Sequence, residues 1–97
     1  MAERTSFSCG SKLDISQAQA IHKRVIKALS KSSTIELKAD QVEKADTSGL
    51  QIFVALQREV ALTGGELVWK RPSQPLIDTA KLLGLDQLLH LTNSPAQ

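Results

Sequence analysis

Apolar residues recur along this chain in two rhythms, and the switches between them divide it into strands and helices. Phe7, Cys9 and Leu13 give a weak extended signal, broken by Gly10. Ser16 and Gln19 stand at capping-box spacing, and Ala18, Ile21, Val25, Ala28 and Leu29 follow at helical intervals. That pattern predicts a helix from about Ser16 to Ser30. Thr34 to Ala39 alternates, with Ile35, Leu37 and Ala39 on one face and Glu36 and Lys38 on the other, and reads as a strand. Polar residues lead from it to Asp46-Thr47-Ser48-Gly49-Leu50. From Leu50 to about Thr63 the period is helical again: Leu50, Phe53, Val54, Val60 and Ala61 form one arc, widened by Ile52 and Leu56. Gly64-Gly65 ends this helix, Glu66 to Lys70 reads as a short strand, and Pro72 ends that. Ser73 can cap a third helix with Pro75 in its first turn, burying Leu76, Ala80 and Leu83 and closing at Gly84. Asp86 starts a last short turn carrying Leu88 and Leu89.

Strands separated by helices need crossover connections, so this order predicts an α/β domain whose sheet has parallel neighbours and packed helices. In such sheets functional groups gather at the carboxyl ends of strands and the amino ends of the helices that follow. The Asp46–Leu50 segment occupies such a place.

Composition narrows the function. The chain has 97 residues, 41% of them hydrophobic, which suits one domain over the whole length, with no internal repeat, low-complexity tract or linker. Its 12 basic and 10 acidic residues are spread along the chain without a basic patch, so nucleic acid is not an expected partner. Phe7, Phe53 and Trp69 are the only aromatics, too few for a base-stacking platform or an aromatic-lined pocket. Cys9 is the only cysteine, which excludes an intrachain disulfide and suits a reducing compartment. No apolar run reaches the ~20 residues of a membrane helix, and the N-terminus lacks a signal core. A soluble cytoplasmic protein, not inserted in a membrane, is expected.

A helix starting near Ser48 or Gly49 leaves its first N–H groups unpaired and carries a partial positive charge, so it accepts a hydroxyl, carboxylate or phosphate. Asp46, Thr47 and Ser48 supply suitable groups. Gly49 removes a side chain beside Ser48, which would let another protein approach the hydroxyl closely. Phosphorylation of Ser48 would add roughly −1.5 to −2 charges. The helix dipole tolerates that charge, whereas a partner surface matched to a neutral serine beside Asp46 does not. Taken alone, the five residues read as an ordinary cap and turn.

The wider pattern gives them more weight. The Gly10-to-Asp14 lead-in (Gly-x-x-Leu-Asp), the first helix, the Ile35-to-Ala39 strand, Val42 through Gln51, the Gly64-Gly65 strand and Leu82-Leu83-Gly84-Leu85 occur together, in order and correctly spaced. Over roughly residues 7 to 91 the chain resembles a STAS domain, the domain of anti-sigma-factor antagonists. The resemblance implies a mixed β-sheet flanked by about four α-helices, no cofactor, and a hydroxyl in this turn that a serine kinase phosphorylates. Ser48 matches the phosphorylated position, with Thr47 as the second candidate. A protein partner, such as an anti-sigma factor that is itself a kinase, would dock on Lys44, Asp46, Gly49 and Leu50 and on the helix face bearing Gln51, Ala55, Arg58 and Leu62. The chain departs from the antagonists in two ways. Only about six residues precede Phe7, so the usual first edge strand is expected to be short or missing, and the uncovered edge could pair with a second copy in a homodimer. Gly10 and Leu13 also stand one residue further apart than usual. Short STAS proteins of this outline further resemble the STAS subunit of the Mla phospholipid transporter and chemotaxis-associated STAS proteins. The transporter subunit has Thr in the turn, as at Thr47, but Ala at the position of Ser48.

The remaining candidates read as structural. His22 and His90 have no partner at ligand spacing and read as solvated, so neither metal binding nor acid–base work is expected of them. Cys9 reads as a small buried apolar group and Trp69 as packing. Asp14 suits a strand exit and Asp40 a turn. Lys44, two residues before Asp46, could steer a partner or hold a phosphate, although a solvated loop lysine is the plainer reading. No general base is evident for Ser48, so catalysis is not expected.

Overall fold

The computed structural model describes residues 4–91. Its central strand is the alternating segment Thr34–Lys38, and three strands, Arg4–Ser8 (β1), Thr34–Lys38 (β3) and Glu66–Lys70 (β5), form a parallel sheet in the order β1-β3-β5. Two shorter strands, Lys12–Leu13 (β2) and Lys44–Ala45 (β4), form a separate parallel pair. The helices are Ile15–Ala28 (α1), Thr47–Leu62 (α2), Gln74–Leu82 (α3) and Asp86–Leu89 (α4). Every described ladder is parallel, as the crossover argument requires. The antiparallel member of a mixed sheet is not among the described residues. The described residues ahead of Gly10 make only β1, and the expectation of a short or missing strand before it lies outside the described residues.

One sheet face carries the core. Ile35, Leu37, Leu67 and Trp69 pack in a single cluster with Ala18, Ile21 and Val25 of α1, Leu50, Phe53, Leu56 and Val60 of α2, and Leu76, Ala80 and Leu89. Phe53 is fully buried and meets Trp69 with ring centroids 5.4 Å apart and planes tilted by 54°. Burial of such a side chain contributes roughly 2–3 kcal/mol, against about 1 kcal/mol for a helix cap, so packing sets the rotation of α2 about its axis. Gln57 interrupts the apolar arc without being left unpaired. Its Nε2 and the Trp69 Nε1 both donate to the Leu89 carbonyl, at 3.1 and 2.7 Å, and so tie α4 to α2 and β5.

Several expectations are corrected. The cap of α1 is Asp14, whose carboxylate accepts the Gln17 N–H at 2.9 Å, so Ser16 lies inside the first turn. Glu36, on the face opposite Ile35 and Leu37, is nonetheless buried because the neighbouring strand covers it: Arg4 donates to it at 2.7 Å and the Ser6 hydroxyl at 2.9 Å. The Ser6 hydrogen bond, with the Lys70 and Arg4 charges, holds its carboxyl below the usual range against the opposing desolvation. Ala61 and Leu83 are exposed, where periodicity placed them in the core. The third helix starts as its sequence implies, with the Ser73 hydroxyl accepting the Leu76 N–H and Pro75 in the first turn. Gly84 closes it at φ +73, which lets the Leu85 N–H reach back to the Ala80 carbonyl at 2.8 Å.

Candidate functional site

The site is built where two helices begin side by side. β2 and β4 are two residues each, and their register sets Lys12 against Lys44 and Leu13 against Ala45. Each strand runs directly into a helix through an aspartate. Asp14 caps α1, and Asp46 caps α2 by accepting the Gly49 N–H at 2.7 Å. The paired segments Lys12-Leu13-Asp14-Ile15-Ser16-Gln17 and Lys44-Ala45-Asp46-Thr47-Ser48-Gly49 therefore echo one another, with Lys, Asp and Ser at the same places in both. Six residues are too few to stand out as a repeat, and only the pairing makes the correspondence visible.

The third helical positions differ. At α1 the Gln17 side chain donates to the Cys9 carbonyl at 2.8 Å. At α2 a Cβ on Gly49 would overlap the Leu13 carbonyl oxygen, and it would lie 2.9 Å from the Leu13 carbonyl carbon and 3.1 Å from the Asp14 oxygen. Only glycine fits this contact, because backbone cannot move aside as a side chain can. The Asp46 N–H donates to the same Leu13 carbonyl at 3.3 Å, fixing the start of α2 against the β2–α1 turn.

This placement changes the reading of the turn. Asp46, Thr47, Ser48 and Lys44 are exposed, whereas Gly49 and Leu50 are buried. Gly49 makes room for the protein's own backbone, not for a partner's, and Leu50 is fully enclosed in the core. Ser48 is the second residue of α2. Its hydroxyl makes no hydrogen bond to another described residue, and a helix leaves its first N–H groups free. Gln51, Ala55, Arg58 and Leu62 are all exposed along one side of α2, with Leu62 at 82%. Turn and helix face are thus one continuous surface, as the helical wheel implies.

Two residues escaped sequence reading. Lys12 joins Lys44 on the wall of a shallow recess with Asp14, Glu43 and Asp46, and only the β2–β4 pairing brings it there. Lys44 itself belongs to a strand and not to a loop. Glu59 is the other: it takes His22, expected to be solvated, into a 2.7 Å contact between α2 and α1. His90 ends α4 in a left-handed conformation. Cys9 is fully buried, and burial pushes its thiol up to about 12, so it is an apolar core group. No helix of the described residues is long and apolar enough to cross a membrane.

A parallel sheet with helices packed on one face, and an exposed hydroxyl at a helix start that follows a strand, define a small α/β fold. A family model described as "Mlab, STAS domain" matches residues 3–91, and the chain belongs to the STAS domain family. Among solved structures, it resembles the unphosphorylated anti-sigma factor antagonist SpoIIAA, with a TM-score of 0.71 and 19% identity over 91% of this chain and 79% of that one. The protein TM1081, solved by NMR, gives a TM-score of 0.72 and 21% identity over 87% of this chain and 69% of that one. At these identities the likeness is one of fold. No curated sequence matches the chain.

Proposed function

We propose that the chain is a non-enzymatic protein-interaction module of the anti-sigma-factor-antagonist kind, acting as a single domain in the cytoplasm, whose docking is switched by phosphorylation of Ser48. The observation that carries the reading is the continuity of an exposed Ser48 with the exposed strip Gln51, Ala55, Arg58 and Leu62. Lys44, Asp46 and that strip meet the partner, an anti-sigma factor or serine kinase. Gly49 and Leu50 act from inside, by holding the turn in place. Thr47 is the second candidate acceptor.

A phosphate at Ser48 adds roughly −1.5 to −2 charges at the positive end of α2, where the fold tolerates them. The same charge beside Asp46 repels a partner matched to the neutral hydroxyl. Mass spectrometry of the chain after incubation with its serine kinase and ATP should locate one phosphate, at Ser48. If Ser48→Ala still takes up the same single phosphate, the assignment fails.

One observation favours a second reading: the matching family model carries the name Mlab. The chain would then be a constitutive subunit of a phospholipid-transport ATPase, docked through the same turn and never modified. In that case Ser48→Asp leaves pull-down affinity unchanged.

A further inference from the structure

β5 is an outermost strand, with β3 on one side and no strand on the other among the described residues. In a parallel ladder the N–H and C=O of one residue point to the same neighbour, and successive residues alternate. The Glu66 N–H donates to the Ser33 carbonyl at 2.8 Å, and the Lys70 carbonyl accepts the Ala39 N–H at 3.1 Å. Glu66, Val68 and Lys70 therefore direct their backbone groups to β3, and those of Leu67 and Trp69 point to the free edge. Among the described residues, the Leu67 carbonyl there receives only Gln57 Nε2, at 3.5 Å. A recess of about 320 Å³, walled by Val60, Ala61, Gly65 and His90, lies along this edge on the helix side, so the helices do not close over it.

The side chains supply the second observation. Glu66, Val68 and Lys70 stand exposed on the open face, Val68 with 37% of its surface accessible. The strand Glu66-Leu67-Val68-Trp69-Lys70 is therefore self-complementary about its centre, with acid at one end, base at the other and an apolar middle. We infer that β5 is the interface of a homodimer, two copies pairing antiparallel about a two-fold axis at Val68. In that register each Leu67 exchanges both backbone hydrogen bonds with the partner's Trp69. Leu67 and Trp69 are the residues whose groups are available. Val68 meets the partner's Val68 in the closer, non-hydrogen-bonded pair, and each Glu66 faces the partner's Lys70. Two three-stranded sheets become one of six strands, and an edge that would otherwise invite unspecific pairing is covered. The other edge lacks this symmetry: antiparallel self-pairing of β1 sets Arg4 against Ser8. No residue of the proposed docking strip is used, so the inference is independent of the switch.

The test is sedimentation equilibrium of the full chain across micromolar concentrations, with circular dichroism checking that each variant is folded. The wild type should sediment with the mass of two chains. Glu66→Lys or Lys70→Glu alone sets like charges opposite one another and should weaken dimerisation by about tenfold or more, whereas the double reversal restores it. Under mild oxidation Val68→Cys should give a covalent dimer, since cross-strand Cα spacing at such a pair suits a disulfide and Cys9 is buried. A monomer at every concentration overturns the inference. So does a dimer indifferent to the single reversals, or one cross-linked by Ser6→Cys in β1 and not by Val68→Cys.

Discussion

The two helix starts differ less than the roles proposed for them. Asp14-Ile15-Ser16-Gln17 and Asp46-Thr47-Ser48-Gly49 lie side by side, each with an aspartate cap, an exposed second-position serine and a lysine two residues before the cap. An exposed serine at a helix N-terminus is therefore not what singles out a switch. Two things separate the starts: the glycine that seats α2 against the Leu13 carbonyl, and the chemistry of the exposed strip that follows, which carries Lys23, Arg24 and Lys27 along α1 but Ala55, Arg58 and Leu62 along α2. A helix start acquires a role from the surface it opens onto.

The sharpest way to break the symmetry is at the third positions. Gly49→Ala drives a Cβ into backbone that has no freedom to move and should destabilise the protein by about 3 kcal/mol or more. Gln17→Ala loses one hydrogen bond to the Cys9 carbonyl and should cost about 1 kcal/mol. Urea unfolding of both variants measures the difference, and equal losses would mean that α2 is not seated as described. Next comes binding. Ser48→Asp should weaken partner binding by about tenfold or more, while Ser16→Asp changes it by less than about twofold, as read by titration calorimetry. The caps should behave alike: Asp14→Ala and Asp46→Ala should each lower stability by about 1 kcal/mol, since each removes one side-chain bond to a helix N–H.

The smallest effect concerns Cys9, beside the first helix start. With its thiol held up to about 12 against an ordinary 9.0, the native protein keeps a proton that the unfolded chain releases between those values. Stability contributed by this group is complete below pH 9.0 and declines as pH rises above it. Iodoacetamide at pH 8 should label native Cys9 far more slowly than the unfolded chain, and Gln17→Ala should raise that rate modestly.

Much of this architecture was legible in the sequence, because burial imposes a period. Three helices and the strands β3 and β5 follow from spacing alone, and the cap of α3 from Ser73 followed by Pro75. β2 and β4 were not legible, since two residues carry no period. Nor was the burial of Glu36, which depends on Arg4 and Ser6 arriving from a strand 30 residues away. Ala61 and Leu83 misled for a related reason: a helical wheel gives the direction of an apolar arc but not where its neighbours end.

For the candidate site, the sequence by itself determined the chemistry: a hydroxyl, a carboxylate and a glycine in one turn, followed by a helix whose outward face carries Gln51, Ala55, Arg58 and Leu62. These are local properties, fixed by residue type and helical geometry. The tertiary structure alone decided that Gly49 serves the protein's own packing and that Leu50 is out of reach. It also decided that Lys12 stands against Lys44. The seating of Gly49 and the meeting of the two lysines depend on the β2–β4 pairing, a contact between residues 32 apart in the chain that no local pattern encodes.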